Sequence, residues 1–450
     1  MQLSKWTLFA AAILAFCPVR TPAQTGNGFL TLHAFSALSS GTNTDGANPF
    51  GGLVVSGGTA YGTTSDGGAN GYGTVFKVNL DGSGFTNIYN FTGGSDGAAP
   101  EGPLALSGNT LYGTASSGGS GGYGVVFSFN TESSRLIPIY AFTNGIDGTQ
   151  PAAGVIVSGA VIYGTTEGNA AWTNFGSVFQ VNTNGKDFIV LHHFESLAGD
   201  DGAYPYGPIV LSGKGLYGTT FGGGDSGTGT LFKVQTDSTN FMTVFDFLGI
   251  NSTFTNATGA YPEGGVMLSG GTLYGTTRYG GAAGNGGLGW GTVFAVSTSE
   301  AGLAPIYSFN GLNDFGNPWV GLTSSSNMLY GTTPYSIFAL NTGGTGFTNL
   351  YSSASPVYPN GGLVVMARGA SVYGTTYYGG FGNGAVFALS LSSLTAQLAG
   401  GKVTLSWSNP ALSLQAAPTV GGIYTNIAAA TSPYVTGATG SQMFFRLVGN

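Results

Sequence analysis

From residue 28 to about 390, apolar residues alternate with small or polar ones in short runs, and clusters of Gly, Asn, Asp and Ser separate the runs. Period-two alternation bounded by turn formers predicts strands joined by hairpins. Four kinds of run recur in fixed order. The first is "GGLVVSG" (51–57), the second contains "YGTT" (61–64), the third is "GTVFKV" (73–78) and the fourth is "FTNIYNF" (85–91). Later equivalents of the third include "GVVFSF", "GSVFQV" and "GTLFKV"; those of the fourth include "LIPIYAF" and "FIVLHHF".

The second run punctuates the chain at Tyr61, Tyr112, Tyr163, Tyr217, Tyr274, Tyr330 and Tyr373, each followed by Gly-Thr. Upstream of these stand Pro49, Pro100, Pro151, Pro205, Pro262, Pro318 and Pro359, at an offset of twelve residues in six copies and fourteen in the last. Seven four-stranded units of roughly fifty residues predict an all-β, seven-bladed β-propeller. "FLTLHAF" (29–35) is a fourth-type run without a unit, and the last unit ends at the third-type run "GAVFAL" (384–389). The N-terminal strand is therefore expected to complete the final blade, removing the unpaired edges. In the repeated phrase, the Tyr should wedge between blades and find a hydroxyl partner. The Gly should let neighbouring backbone approach, and the Thr pair should suit a crowded strand.

Composition narrows the class. Only 6% of residues are charged, yet 42% are apolar and Gly numbers 82, so the chain reads as turn-rich β structure rather than disorder. Residues 1–23 read as a secretory signal peptide: Lys5, the apolar "WTLFAAAILAF", then "TPA" before Gln24. The sole cysteine, Cys17, lies within it, so the mature chain would hold no disulfide. No later segment reads as transmembrane, and 18 acids against 11 bases argue against a nucleic-acid partner. A secreted or cell-surface monomer is expected.

The phrase "LYGTTxxGGxxGxGTVFKVNxDG…LYxF…DGxxPxGGLVLSG" resembles the tandem repeat of GloVer-type exported bacterial proteins, named for Gloeobacter and Verrucomicrobia, over about residues 28–390. That resemblance implies export or surface display, often with a C-terminal anchoring device, and no established activity. Unit six departs from the pattern, because "YGTTPYSIFAL" lacks the Gly-rich loop. Residues 391–450 leave the repeat and resemble the small, loosely fibronectin-like β-sandwich modules of exported proteins, with Trp407 as core. They form either a minor C-terminal domain or an attachment tag.

Candidate chemistry is sparse. Asp45, Asp96, Asp147 and Asp201 of "DGxxP", with Asp314, suit turns in which the carboxylate accepts backbone amides. Calcium is the alternative, but one acid per blade is too dispersed to share an ion. His33 and His192 replace Tyr or Phe on the fourth strand, and His193 beside them is expected to face solvent. With no other histidine, a zinc site or a His-based triad is not expected, and no cofactor is expected.

The residue after each proline varies where its neighbours are fixed: Phe50, Glu101, Ala152, Tyr206, Glu263, Trp319 and Asn360. Aromatic and polar side chains at the mouth of a propeller channel would suit a carbohydrate or a cell-surface ligand. The alternative is that they are unrelated loop residues that happen to start a strand. Phe50, Glu101, Tyr206, Glu263, Trp319 and Asn360 are the candidate ligand-binding residues, with no catalytic set. The favoured reading is a non-catalytic binding or surface-interaction scaffold. Its alternative is an extracellular saccharide-active enzyme using Glu101 and Glu263, which lie three units apart and would need a carboxyl separation of roughly 5–9.5 Å.

Overall fold

A computed structural model describes residues 28–169, 174–195, 197, 199–299, 302–353, 358–359, 361–366, 371–379, 382–391, 395–399, 402–407, 412–418, 424–428, 430–437 and 443–449. The expected signal peptide, residues 1–23, lies outside them, as does Asn360. Among the described residues helix is confined to one short turn, Asn285–Gly287. Among the described residues no helix is long and apolar enough to cross a membrane.

The four kinds of run become one antiparallel sheet each time they occur. In the first, Val54–Ser56, Thr59–Thr64, Thr74–Asn79 and Thr86–Asn90 pair in chain order. The same order recurs over 105–141, 156–193, 210–246, 266–308 and 323–352. A further sheet joins Val364–Met366, Ser371–Thr376 and Ala385–Ser390 to the N-terminal strand Phe29–Ala34. Phe29 lies opposite Leu389 and Ala34 opposite Ala385. We number these sheets 1 to 7 by their first strands. The architecture is all-β, propeller-like repetition of four-stranded sheets.

The cores lie between sheets. Tyr61 of sheet 1 packs into the cluster built on Leu104, Leu111 and Phe127 of sheet 2. Tyr163 belongs to the sheet 4 cluster, Tyr217 to that of sheet 5 and the fully buried Tyr330 to that of sheet 7. Tyr373 of sheet 7 packs against Leu53, Ala60 and Phe76 of sheet 1. The expected wedge is therefore what the Tyr side chains form. A second link is polar. In four of the seven units the first Thr of the phrase donates to a backbone carbonyl just before the following sheet: Thr114 to Ala153, Thr276 to Val320, Thr332 to Pro359, and Thr375 of sheet 7 to Gly51 ahead of sheet 1, at 2.8–3.1 Å. The hydroxyls of Thr63, Thr165 and Thr219 are buried without a partner among the described residues.

The glycine of the phrase serves a different purpose from the one expected. Gly218 sits opposite Phe232 in the strand ladder, and a Cβ there would lie 2.6 Å from the Phe ring. Gly62 and Phe76, Gly164 and Phe179, and Gly275 and Phe294 repeat this arrangement. The missing side chain makes room for a cross-strand aromatic ring rather than for neighbouring backbone.

Sheet 6 passes from Met328–Thr333 to Ser336–Asn341 through Pro334 and Tyr335 alone, as the lost loop predicts. After residue 391 two further sheets form. One joins Thr395–Ala399, Lys402–Ser406 and Tyr434–Gly437; the other joins Leu412–Ala417, Thr425–Asn426 and Phe444–Gly449. Leu405, Trp407 and Leu414 form their core.

Candidate functional site

A repeated turn builds the site. The residue before each repeat proline takes left-handed backbone, among them Asn48 (φ 58°), Gln150 (55°), Tyr204 (61°) and Tyr261 (57°). Non-glycine residues rarely do this, and proline restricts its predecessor further, so each such turn stores on the order of 1 kcal/mol or more. One reason it persists is a hydrogen bond. The carbonyl of the left-handed residue accepts the amide of the residue four positions after the repeat tyrosine: Ser65 to Asn48, Ser116 to Ala99, Glu167 to Gln150, Phe221 to Tyr204 and Arg278 to Tyr261, at 2.9–3.1 Å. The turn thereby sets two variable side chains side by side, one after the proline and one after the phrase. Glu101 meets the Ser116 hydroxyl, Tyr206 lies 5.3 Å from Phe221 between ring centres, and Glu263 accepts from the Arg278 guanidinium at 2.7 Å.

Six of these turns converge. Phe50, Glu101, Ala152, Tyr206, Glu263 and Trp319 all line one cavity of about 540 Å³, together with Glu167 and Arg278. Its remaining wall is largely backbone and small apolar residues, including Gly52, Pro103, Gly207, Pro208, Gly264 and Gly362. Gly52, Gly207 and Gly264 are needed there because neighbouring segments touch main chain to main chain, whereas Gly362 has open space around it. A Cβ on Gly207 would fall 2.1 Å from the Gly265 nitrogen.

Charge in the cavity is uneven. Burial pushes the Glu101 carboxyl up to about 7, and the negative Asp66 adds to this. Burial also raises Glu167, to about 8, with Glu101 as the second cause. Glu263 is raised by burial, and the adjacent Arg278 offsets part of that. Burial alone would lower the Arg278 guanidinium, but Glu263 more than restores it. Arg278 also lies over Trp319 at 5.2 Å, a cation–π contact, and Trp319 stacks on Tyr358 at 5.2 Å. The Tyr206 hydroxyl is pushed up to about 12 by burial, then by Glu167 and Glu263.

Phe50, Glu101, Tyr206, Glu263 and Trp319 are thus gathered on one cavity, and Ala152 with them. The sequence reading missed Glu167 and Arg278. Their signal is the position after the repeated phrase, which varies as Ser65, Ser116, Glu167, Phe221, Arg278, Pro334 and Tyr377. The structure also regroups the acids. Glu101 is coupled electrostatically to Glu167, whereas Glu263 is held by an arginine.

The remaining candidates have structural partners. Asp147 accepts from the Tyr140 hydroxyl, from the amide and hydroxyl of Thr143 and from the Gly145 amide, at 2.8–3.1 Å. Asp96 and Asp314 accept likewise from Tyr89 and Tyr307 and from local amides. His33 and His192 take the tyrosine's place, hydrogen-bonding Asp45 at 3.0 Å and Asp201 at 2.8 Å. They stack on Phe85 and Phe241. His193 is half-buried, with Nδ1 shielded from solvent, rather than fully solvent-facing as expected.

Comparison with known proteins agrees with the repeat. The model of the Gloeobacter/Verrucomicrobia repeat matches residues 23–200 and 162–289. No curated protein matches. Among solved structures, an oligogalacturonate lyase in complex with manganese is similar at 10% identity, with a TM-score of 0.52, over 82% of this chain and 95% of that one. An oligogalacturonate lyase from Vibrio parahaemolyticus matches at 10% identity and a TM-score of 0.50, over 83% and 96%. An extracellular domain from B. thetaiotaomicron gives 10% and 0.51, over 88% of this chain and 46% of its own. At such identity the likeness is one of fold.

Proposed function

We propose that this chain, which belongs to the Gloeobacter/Verrucomicrobia repeat family, is an exported, non-catalytic binding scaffold that holds a carbohydrate in its central cavity. In this reading residues 28–390 form a seven-bladed propeller closed by the N-terminal strand, and 391–450 a small β-sandwich-like module. The pairing of Phe29–Ala34 with Ala385–Ser390 supports closure, as do the contacts of Tyr373 and Thr375 with sheet 1. Export rests on the signal-like residues 1–23, and the extracellular domain of similar fold is consistent with it.

The observation that carries the binding reading is convergence. Side chains from six separate repeat units, aromatic and carboxylate, meet at one cavity whose wall is otherwise glycine-rich backbone. Aromatic faces flanked by acceptors suit the apolar faces and hydroxyls of a sugar ring. Removing the Trp319 indole should lower saccharide affinity about tenfold or more, equivalent to roughly 1.4 kcal/mol. Glycan-array and calorimetric binding by Trp319→Ala measures this, and unchanged binding removes the cavity as the site.

A second reading, a saccharide-active enzyme, draws on Glu101 and Glu167, since carboxyls kept protonated near neutrality are what a general acid needs. Lyases of similar fold act on oligogalacturonate by name. Oligosaccharides recovered intact after prolonged incubation favour the binder; shortened products favour the enzyme.

A further inference from the structure

The cavity holds three carboxyl groups and one cation, and that cation is already committed. Arg278 is spent on Glu263 at 2.7 Å, with its guanidinium also over Trp319. Glu101 and Glu167 have no such counter-charge. Glu101 lies beside Ser116, whose hydroxyl donates to the Ala99 carbonyl at 3.1 Å, and it is within electrostatic reach of the negative Asp66 and of Glu167. Glu167 lies deep among protein atoms and faces the cavity, with no hydrogen-bond partner among the described residues. Two neighbouring acids in low dielectric are costly to ionise, because each lacks solvation and each repels the other.

A ligand that supplied one positive charge and several N–H donors would relieve both costs at once. An ammonium group does so, offering three donors to carboxylate oxygens that now have few. Tyr206 stands near one of these acids, since its hydroxyl feels the charge of Glu167, and its ring provides a face for a cation or a sugar. An anionic saccharide meets the reverse situation: the carboxylates repel it and the only cavity-lining guanidinium among the described residues is occupied.

Taking the carbohydrate reading above as its premise, we propose that the cavity selects an amino saccharide, with its ammonium seated between Glu101 and Glu167 and its ring against Tyr206 and Trp319. The raised carboxyls mean that binding expels protons, because an ammonium favours the ionised acids.

Three tetrasaccharide probes that differ in charge test this by calorimetry: a glucosamine oligomer, its N-acetylated counterpart and a galacturonate oligomer. The glucosamine oligomer should bind about tenfold or more tightly than either other probe, with proton release visible as a buffer-dependent enthalpy. Glu101→Gln/Glu167→Gln should erase that preference while retaining a cooperative melt; Glu167→Gln alone is the milder variant should the pair fold poorly. If the N-acetylated or galacturonate oligomer binds as tightly, or the Gln variants leave the preference intact, the ammonium seat is wrong. In that case loss of binding in Trp319→Ala would still uphold the carbohydrate site. If none of the three binds, both readings fall together.

Discussion

Glu167 shows how a single side chain ties the cavity to the stability of the protein. Its carboxyl is raised to about 8 by burial and by Glu101, and that of Glu101 to about 7 by burial and by Asp66. Both therefore hold their protons more tightly folded than unfolded. The sign follows: the folded state binds more protons between about pH 4.5 and pH 8, so stability is fullest below that window and declines as pH rises through it. The two groups are coupled and partly open to cavity water, which limits the effect to the order of 1–3 kcal/mol. The melting temperature should fall between pH 5 and pH 8.5, and Glu167→Gln should flatten much of that slope; a slope unchanged by the substitution would sink the assignment. At this scale the sequence was legible in part. Phe50, Glu101, Tyr206, Glu263 and Trp319 stood out because the repeat holds everything around them constant. Glu167 and Arg278 escaped notice because their neighbours at the mouth are fixed by a left-handed residue before proline. Local preference argues against that conformation at Gln150 or Tyr261.

At the scale of one sheet, each element has an interlock that periodicity alone could not identify. Strand identity and order were readable from alternation and turn residues, and the ladder pairs the four runs in chain order. What each glycine makes room for depends on register. In sheet 4, Gly218 faces Phe232, which is fully buried, while Ile209 closes the other side. A methyl group at Gly218 must displace a ring locked on all sides, so Gly218→Ala should cost about 1–3 kcal/mol as overpacking. Phe232→Leu, destabilising by itself, should cost less in the Gly218→Ala background, a coupling of about 0.5 kcal/mol or more in a double-mutant cycle. Additive effects in denaturant melts would show that the glycine is there for another reason. The second and fourth strands follow the same logic. Paired hydroxyls such as Thr220 on the second strand and Thr230 on the third, at 3.0 Å, tyrosine on the buried Asp147 and histidine on the half-buried Asp201 take up polar groups that would otherwise be stranded.

For the whole molecule, the interlocks run from each sheet to the next, and the last of them returns to the first: Tyr373 packs on the sheet 1 core and Thr375 donates to Gly51. The cavity depends on that return, because Phe50 and Gly52 before sheet 1 and Gly362 and Leu363 before sheet 7 line the same space. In the proposed ring, the N-terminal strand is the clasp, and it covers an edge that would otherwise be free to pair with another chain. Leu30 lies opposite Ala388 and both belong to one apolar cluster, so their side chains share a face. Replacing both with cysteine, in a chain carrying Cys17→Ala, should give an intramolecular disulfide under mild oxidation. Its loop spans most of the chain, and loop entropy then predicts stabilisation of up to about 5 kcal/mol. A monomer that migrates faster on a non-reducing gel and melts higher only when oxidised would fit the clasp, whereas disulfide-linked dimers or unreacted thiols would contradict it. Reducing the clasp should leave saccharide affinity unchanged, since the native strand pairing already closes the ring. Deleting residues 28–35 should instead remove binding and solubility together, as the side chains of the cavity come from both sides of that seam.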